Sequence, residues 1–457
     1  MPRTRRSFEI SIAALVIASG VVSGCAHYVA EPVDLTASAA TIEARRAPTP
    51  PNGRLTYDQT LTFALGNAAT IHQARGAYAS AVAAARTARV RPAMTLTLTA
   101  EYSKDSDPQR PWLYGGVLDI PIDRSGVRGS RIGTAELAIL KAHYDLIEAV
   151  WTTRVALRRA LLDRDVALAE VALTDRQVEL RRQRLAMFER RVSAGEDARP
   201  MALTAATELA LSTQRQTQAR GALAQAQSAI AAAMGLTTEA LAGIEIASAP
   251  DTAPPRSDLL QLRRNAAIGR ADVLRAVIDY DTAEQALRTA IAGQYPQVTI
   301  GPGYTWERGL TKLPFNLALA LPPLDLNRAA IKEAETRRLA AGATVEAAQA
   351  QVYAQTDAAA AALAAAETSL ARVDTQDLPL SRRAAGLTER AVTLGELDRT
   401  EALAAQASVL DAELSLIDAR RLRATALADL EAATRHTGDP AELTLLLDAL
   451  ASLERMP

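Results

Sequence analysis

The sequence predicts a mainly α-helical fold with a small β part, built as a tandem duplication in which long helices alternate with pairs of short strands. Three observations carry this. The 457 residues are 49% hydrophobic but only 4% aromatic. Alanine, leucine, arginine, glutamate and glutamine dominate, with a helical period that marks long helices or coiled coil. Inside this helical sequence, "MTLTLTAEY" (94–102) alternates Leu96, Leu98, Ala100 and Tyr102 with Thr95, Thr97, Thr99 and Glu101, the period of a two-faced strand. The landmarks of the first half then recur in order in the second, with Gly395 answering to Gly195.

Residues 1–24 read as a signal peptide. Arg3, Arg5 and Arg6 are followed by an apolar run from Ile10 to Val22 and then small residues, too short for a transmembrane helix. The single cysteine, Cys25, closes "VSGC" and can form no intrachain disulfide. This stretch resembles a bacterial lipobox, which implies lipid attachment at Cys25; an ordinary cleavage site with an incidental cysteine is the other reading. Acyl chains would anchor the chain without a spanning helix. The formal net charge of −1 offers nothing electrostatic to a nucleic acid.

Residues 25–53, with "APTPPNG", form a polar, proline-rich linker. The first repeat, 54–250, opens at Thr56-Tyr57-Asp58-Gln59, a capping box, and its helix runs to about Val90 with a break near Gly66-Asn67. Pro92 stops it and the strand follows. After the polar loop 103–111, "WLYGGVLDIPI" (112–122) reads as a second strand with Trp112, Tyr114, Leu118 and Ile120 on one face. From about Val127 to Val192 no proline intervenes, and Val171, Val178, Leu185 and Val192 recur every seventh residue, a seam that stays in register by supercoiling. Such a helix would reach roughly 100 Å at 1.5 Å per residue. Gly195 breaks it, and another helix runs from Pro200 to about Met234.

The second repeat, 251–440, restates this order. A helix ends at Pro296, "QVTIGPGYTW" stands where "AMTLTLTAEY" stood, and "ERGLTK" is a loop before the strand in "LPFNLALALPPLD". A long helix to about Val392 follows, Gly395 breaks it, and a last helix runs to about Thr434. "RRVSAGED" matches "RAVTLGEL", and "IPID" (120–123) matches "PPLD" (322–325). Residues 441–457 are left as a C-terminal tail.

About ten tilted residues is the length of a strand that crosses a bilayer. "MTLTLTAEY" has an apolar face and a threonine-rich face, as lipid outside and water inside would require. Tyr102, Trp112, Tyr114, Tyr304, Trp306 and Phe315 lie close to the inter-strand loops, the pattern of an aromatic girdle at a membrane interface. Soluble hairpins capping a helical bundle would account for the strands alone. In a membrane, four strands cannot close a barrel, and an open edge leaves backbone groups unpaired. Copies must therefore associate; eight strands make a filled barrel and twelve can leave a channel, a choice that periodicity does not make.

The duplicated order, with "YP" before "GYTW", "PPLDLNR" at the strand-to-helix change and a glycine at each helix–helix turn, resembles the outer-membrane efflux factor (TolC-like) family. The likeness covers residues 54 to about 438. It implies a homotrimer, a long-helix α-barrel protomer with four transmembrane strands closing a 12-stranded barrel in the cell outer membrane and extending into the periplasm. It also implies a passive exit duct for drugs, solvents or metal cations, working with a periplasmic adaptor (membrane fusion protein) and an inner-membrane pump. The strand segments look closer to the heavy-metal-efflux (CzcC-like) branch. A type I protein secretion duct, a periplasmic adaptor and a coiled-coil scaffold are the alternatives; two hairpin-bearing repeats argue against an adaptor.

The same resemblance points to Val192, Gly195, Glu196 and Leu203, with Val392, Gly395, Glu396 and Leu403, as periplasmic-tip and adaptor contacts, although glycines also simply end helices. It makes Glu401 a candidate lumen gate, a ring of three carboxylates that would favour cations; a solvated helix face is the plain alternative. Met201 stands at the matching place in the first repeat, and Leu397 where a gating arginine is expected. The four histidines are scattered without ligand spacing, and no nucleophile elbow or phosphate loop stands out. The expectation is therefore no enzyme, no metal site and no cofactor.

Overall fold

The computed structural model describes residues 28–48, 53–104, 111–122, 126–250, 258–307 and 309–455. The signal peptide and Cys25 lie outside them. The chain divides into two units, 1–45 and 46–457. In the first, helix α1 (Leu35–Ala44) starts at Asp34, whose Oδ1 accepts from the Thr36 and Ala37 N–H groups at 2.9 and 3.1 Å, an N-cap for two otherwise unpaired donors.

The second unit begins with β1 (Arg54–Leu55) and α2 (Tyr57–Asn67). The predicted capping box is present: Thr56 Oγ1 accepts from the Gln59 N–H, and the Gln59 side chain accepts from the Thr56 N–H. Ala68, extended at φ −61° and ψ 130°, makes the break one residue beyond Asn67. Then come α3 (Ala69–Arg89), β2 (Thr95–Tyr102), β3 (Trp112–Ile122), α4 (Val127–Ser193) and α5 (Arg199–Ala233). A 3-10 turn leads to β4 (Glu245–Ile246), which pairs in parallel with β1. The second repeat supplies α6 (Leu259–Gly269), α7 (Ala271–Ala292), β5 (Gln297–Glu307), β6 (Leu310–Lys312), β7 (Phe315–Ala320), α8 (Arg328–Arg372), α9 (Leu378–Thr393) and α10 (Arg399–Thr434).

The helices form a wall. The first long helix, α4, packs on α3 and α7 along its upper part and on α5 and α10 below. The heptad seam is real: Val178 is buried and Val171, Leu185 and Val192 are half-buried. Its partner is a run of small residues on α5, where Ala205, Ser212, Ala219 and Ala226, seven apart, are all buried. Small side chains on one helix let the bulkier row of the other lie close.

Four segments differ from the sequence expectation. The "ERGLTK" loop is mostly strand, because β5 extends to Glu307 and turns at Gly309 (φ 95°) into β6. The strand expected in "LPFNLALALPPLD" starts only at Phe315, and Leu313-Pro314 separates it from β6, since Pro314 has no N–H to give the ladder; its carbonyl still accepts from the Gly303 N–H at 2.8 Å. The second long helix is not one α-helix. Val373–Asp377 forms a π-turn, in which the Leu378 N–H reaches the Val373 carbonyl. Pro379 explains it: in α-register its ring would press on the Thr375 carbonyl, and one wider turn relieves the clash.

The supposed tail is the fourth difference. Residues Pro440–Arg455 form helix α11, whose Leu446 and Leu453 join the main core with Leu61, Leu65, Ile71, Leu146, Leu157, Leu161 and Met234. Beside this core lies a buried ionic cluster. Arg154, 1% exposed, donates through Nε and Nη2 to the two Glu442 oxygens at 2.8 and 2.7 Å, and through Nη2 to Glu431 at 2.9 Å. The Tyr57 hydroxyl donates to Glu442 at 2.5 Å. Burial, with the Glu442 charge and hydrogen bond, pushes this phenol well above its ordinary value. Four elements, α2, α4, α10 and α11, thus meet at one guanidinium.

Candidate functional site

Two regions carry the predicted site residues: the sheet at one end of the long helices and the glycine turns at the other. The sheet runs β2–β3–β5, with β6 and β7 following one another along the far side of β5, all antiparallel. Its register sorts most of the side chains. Leu96, Leu98, Ala100 and Tyr102 pair with Leu118, Gly116, Tyr114 and Trp112. On the same face Tyr114 pairs with Trp306, Gly116 with Tyr304, Ile120 with Ile300, and Ile300 with Leu317. The opposite face holds Thr95, Thr97, Thr99 and Glu101, then Asp119, Thr299, Thr305, Glu307 and Asn316. One face is mainly apolar and the other mainly polar, with Leu113, Val117 and Leu310 among its apolar members, and within the described residues the outer edges of β2 and of β6 and β7 carry no partner strand.

Four of the six aromatics named from sequence form one row at the loop end of the apolar face. Tyr102 meets Trp112 edge-on at 5.0 Å between centroids, Trp112 stacks on Tyr114 at 5.7 Å, and Tyr114 on Trp306 at 6.1 Å. Tyr304 sits one pair further in, opposite Gly116, and Phe315 deeper still, opposite Pro302. Phe315 is therefore not part of the row; the hairpin of β6 that separates it from the loop end was invisible to pattern alone. Among the described residues no helix is long and apolar enough to cross a membrane.

At the other end the two glycine turns are near-copies. Gly195 and Gly395 have φ 77° and 76°, and open space surrounds the position of a Cβ in both. They are therefore present for the left-handed backbone and not for room. Each closes a Schellman motif: the Gly195 N–H bonds Val192 O at 3.1 Å and Glu196 N–H bonds Arg191 O at 2.9 Å, matched by Gly395 to Val392 at 3.0 Å and Glu396 to Ala391 at 2.8 Å. Val192 and Val392 are half-buried, and Glu196 and Glu396 exposed. The leucines diverge: Leu203 is 63% exposed and Leu403 only 7%. Glu401 is exposed in the first turn of α10.

Sequence reasoning missed the charge that joins the two tips. Arg191 pairs with Asp197 in its own turn, 2.7 Å from Nε, and its Nη1 donates to Asp398, the N-cap residue of α10 in the other repeat. Aligning the repeats would have found it, because Arg191 faces Ala391, Asp197 faces Leu397 and Ala198 faces Asp398.

No curated protein matches the chain. Solved structures share the architecture. The outer-membrane channel OprN superposes with a TM-score of 0.71 at 18% identity, covering 91% of this chain and 99% of its own. The outer membrane protein VceC from Vibrio cholerae gives 0.68 at 17% identity, covering 84% and 96%. A membrane protein from Pseudomonas aeruginosa gives 0.68 at 21%, covering 82% and 89%. At these identities the likeness is one of fold. The family described as "Outer membrane efflux protein" matches residues 61–236 and 262–434, one span for each repeat, and on that match the chain belongs to the outer membrane efflux protein family.

Proposed function

We propose that this chain is the exit duct of a tripartite efflux system, three copies of which close a 12-stranded barrel in the outer membrane. The observation that carries the reading is the two-faced sheet with both edges open. Unpaired backbone at an edge costs several kcal/mol per group in hydrocarbon, and joining the β2 edge of one copy to the β7 edge of the next removes every edge. The leucine face then meets lipid, the aromatic row marks one interface, and the threonine face lines water. Transport through such a duct is passive, with energy supplied by an inner-membrane pump and coupling by a periplasmic adaptor.

In this reading Cys25 carries the lipid anchor. Val192, Gly195, Glu196, Leu203, Val392, Gly395, Glu396 and Leu403 form the periplasmic tip that the adaptor meets, and Glu401 contributes to its lumen. The contact between Arg191 and Asp398 holds the two hairpin tips of each chain together and so narrows the tip. A susceptibility panel of zinc, cobalt, copper, dyes and antibiotics on a strain lacking this chain, with the complemented strain and Cys25→Ala, tests the assignment. Restored resistance to metals alone makes the cargo metal cations, as in the CzcC-like branch. Resistance to dyes and antibiotics makes it drugs. No restored resistance to any of them counts against an efflux duct and leaves protein secretion.

A further inference from the structure

We infer that the seam between neighbouring copies extends below the strands as an apolar clasp, in which Leu321 and Leu324 of one chain seat against Val90 and Met94 of the next. This rests on the proposal that copies close the barrel edge to edge. Large exposed apolar side chains mark both strand-to-helix rims that flank the open edges. At the β2 edge they are Val90 and Met94, and at the β7 edge Leu321, Leu324 (fully exposed) and Leu326. The ladder sets their depth. Thr95 pairs with Asp119, one step from the Ile120–Ile300 pair, and Gly301 pairs with Asn316. Thr95 and Asn316 therefore lie at one level along the ladder, and Val90 and Leu321 each stand five residues beyond it towards the helices.

Both rims are built and not loose. Arg131 donates to Ala88 O and Val90 O at 3.1 and 2.9 Å, and Arg128 to Arg89 O at 2.9 Å, which fixes the turn before β2. After β7, Asp325 accepts from the Asn327 and Ala329 N–H groups at 3.0 and 3.2 Å, and Asn327 Nδ2 donates to Ala290 O at 2.7 Å. That bonding holds Leu326 and Asn327 in left-handed conformations, φ 54° and 59°, a strain that a leucine seldom bears. A rigid, strained turn that presents leucines to open space fits a surface covered on assembly. Continuity with the two strand edges makes a second copy the occupant.

The test is Val90→Cys with Leu321→Cys in the full chain, treated with a short bis-maleimide in detergent, with each single variant as control and native mass measured in parallel. Covalent dimers and trimers in the double variant alone support the clasp. Trimers by native mass without cross-linking overturn it while leaving the duct intact, and monomers by native mass overturn both. A fluorophore on Leu324→Cys in proteoliposomes distinguishes the membrane as occupant: quenching by brominated phospholipid would mean that the rim touches lipid and would overturn the clasp, whereas no quenching supports it. Leu324→Asp should also lower the temperature at which trimers dissociate on a gel.

Discussion

At the scale of single residues, the buried cluster around Arg154 decides most. Glu431 and Glu442 are each 2% exposed, so removing one leaves a guanidinium without its full complement in a low dielectric. Breaking such a pair costs about 3–5 kcal/mol, and Glu442→Ala should lower the denaturation midpoint accordingly, with α11 released; an unchanged midpoint would mean that the cluster is hydrated. Sequence could not show this site, because the partners are separated by 277 and 288 positions and Glu442 lies in a segment that reads only as a tail. A second residue-scale prediction concerns acid. Burial alone would raise the Asp272 carboxyl, but the hydrogen bond and charge of Arg270 outweigh it and hold the carboxyl below its ordinary range. A depressed pKa contributes stability above the unfolded value that is lost as pH falls through the folded one. Below about pH 4 the Arg270–Asp272 pair should therefore weaken, and with it the bond from Arg270 to Ala433 O at 2.9 Å. Asp272→Asn should flatten the acid limb of a stability-versus-pH curve; an unaltered limb would place acid sensitivity elsewhere.

Among the elements, the two repeats differ where they were expected to match. The first long helix is regular over 67 residues; the second carries the π-turn before Pro379. Pro379→Ala removes the clash, so Val373–Asp377 should relax towards α-register and amide exchange around 374–381 should slow; unchanged exchange would show that packing by Val373, Leu378, Leu416 and Ala419, and not proline, sets the turn. The tips differ too. Arg191 and Asp398 are partly exposed, so their contact is worth at most about 1 kcal/mol to stability, yet each chain of a ring would contribute one. Arg191→Ala should raise single-channel conductance in planar bilayers with little change in melting, and the swap Arg191→Asp with Asp398→Arg should restore it. Equal conductance in all three would remove these residues from the tip constriction. The strands, the capping box at Thr56, the break after Asn67 and both glycine turns were legible because each is local: alternation, a four-residue motif or a left-handed residue. Strand β6, the turn at Pro379 and helix α11 were not read. The first lies in a polar segment that looks like loop, the second is a proline effect inside an otherwise continuous pattern, and α11 is a short helix whose apolar side packs against α2 and α4.

For the whole molecule, duplication and membrane insertion answer one another. The two repeats join β2, β3, β5 and the successive β6 and β7 into one five-stranded sheet that has two free edges among the described residues, which further copies would satisfy. The OprN and VceC structures share this fold, and the family model matches both repeats. The central claim is that one sheet face lines water and the other meets lipid. Thr97 and Leu98 are neighbours on opposite faces of β2, so single cysteines at these positions in proteoliposomes, challenged with a charged maleimide, test it most directly. The account predicts rapid labelling of Thr97→Cys and protection of Leu98→Cys; labelling of Leu98→Cys as fast as Thr97→Cys would contradict it.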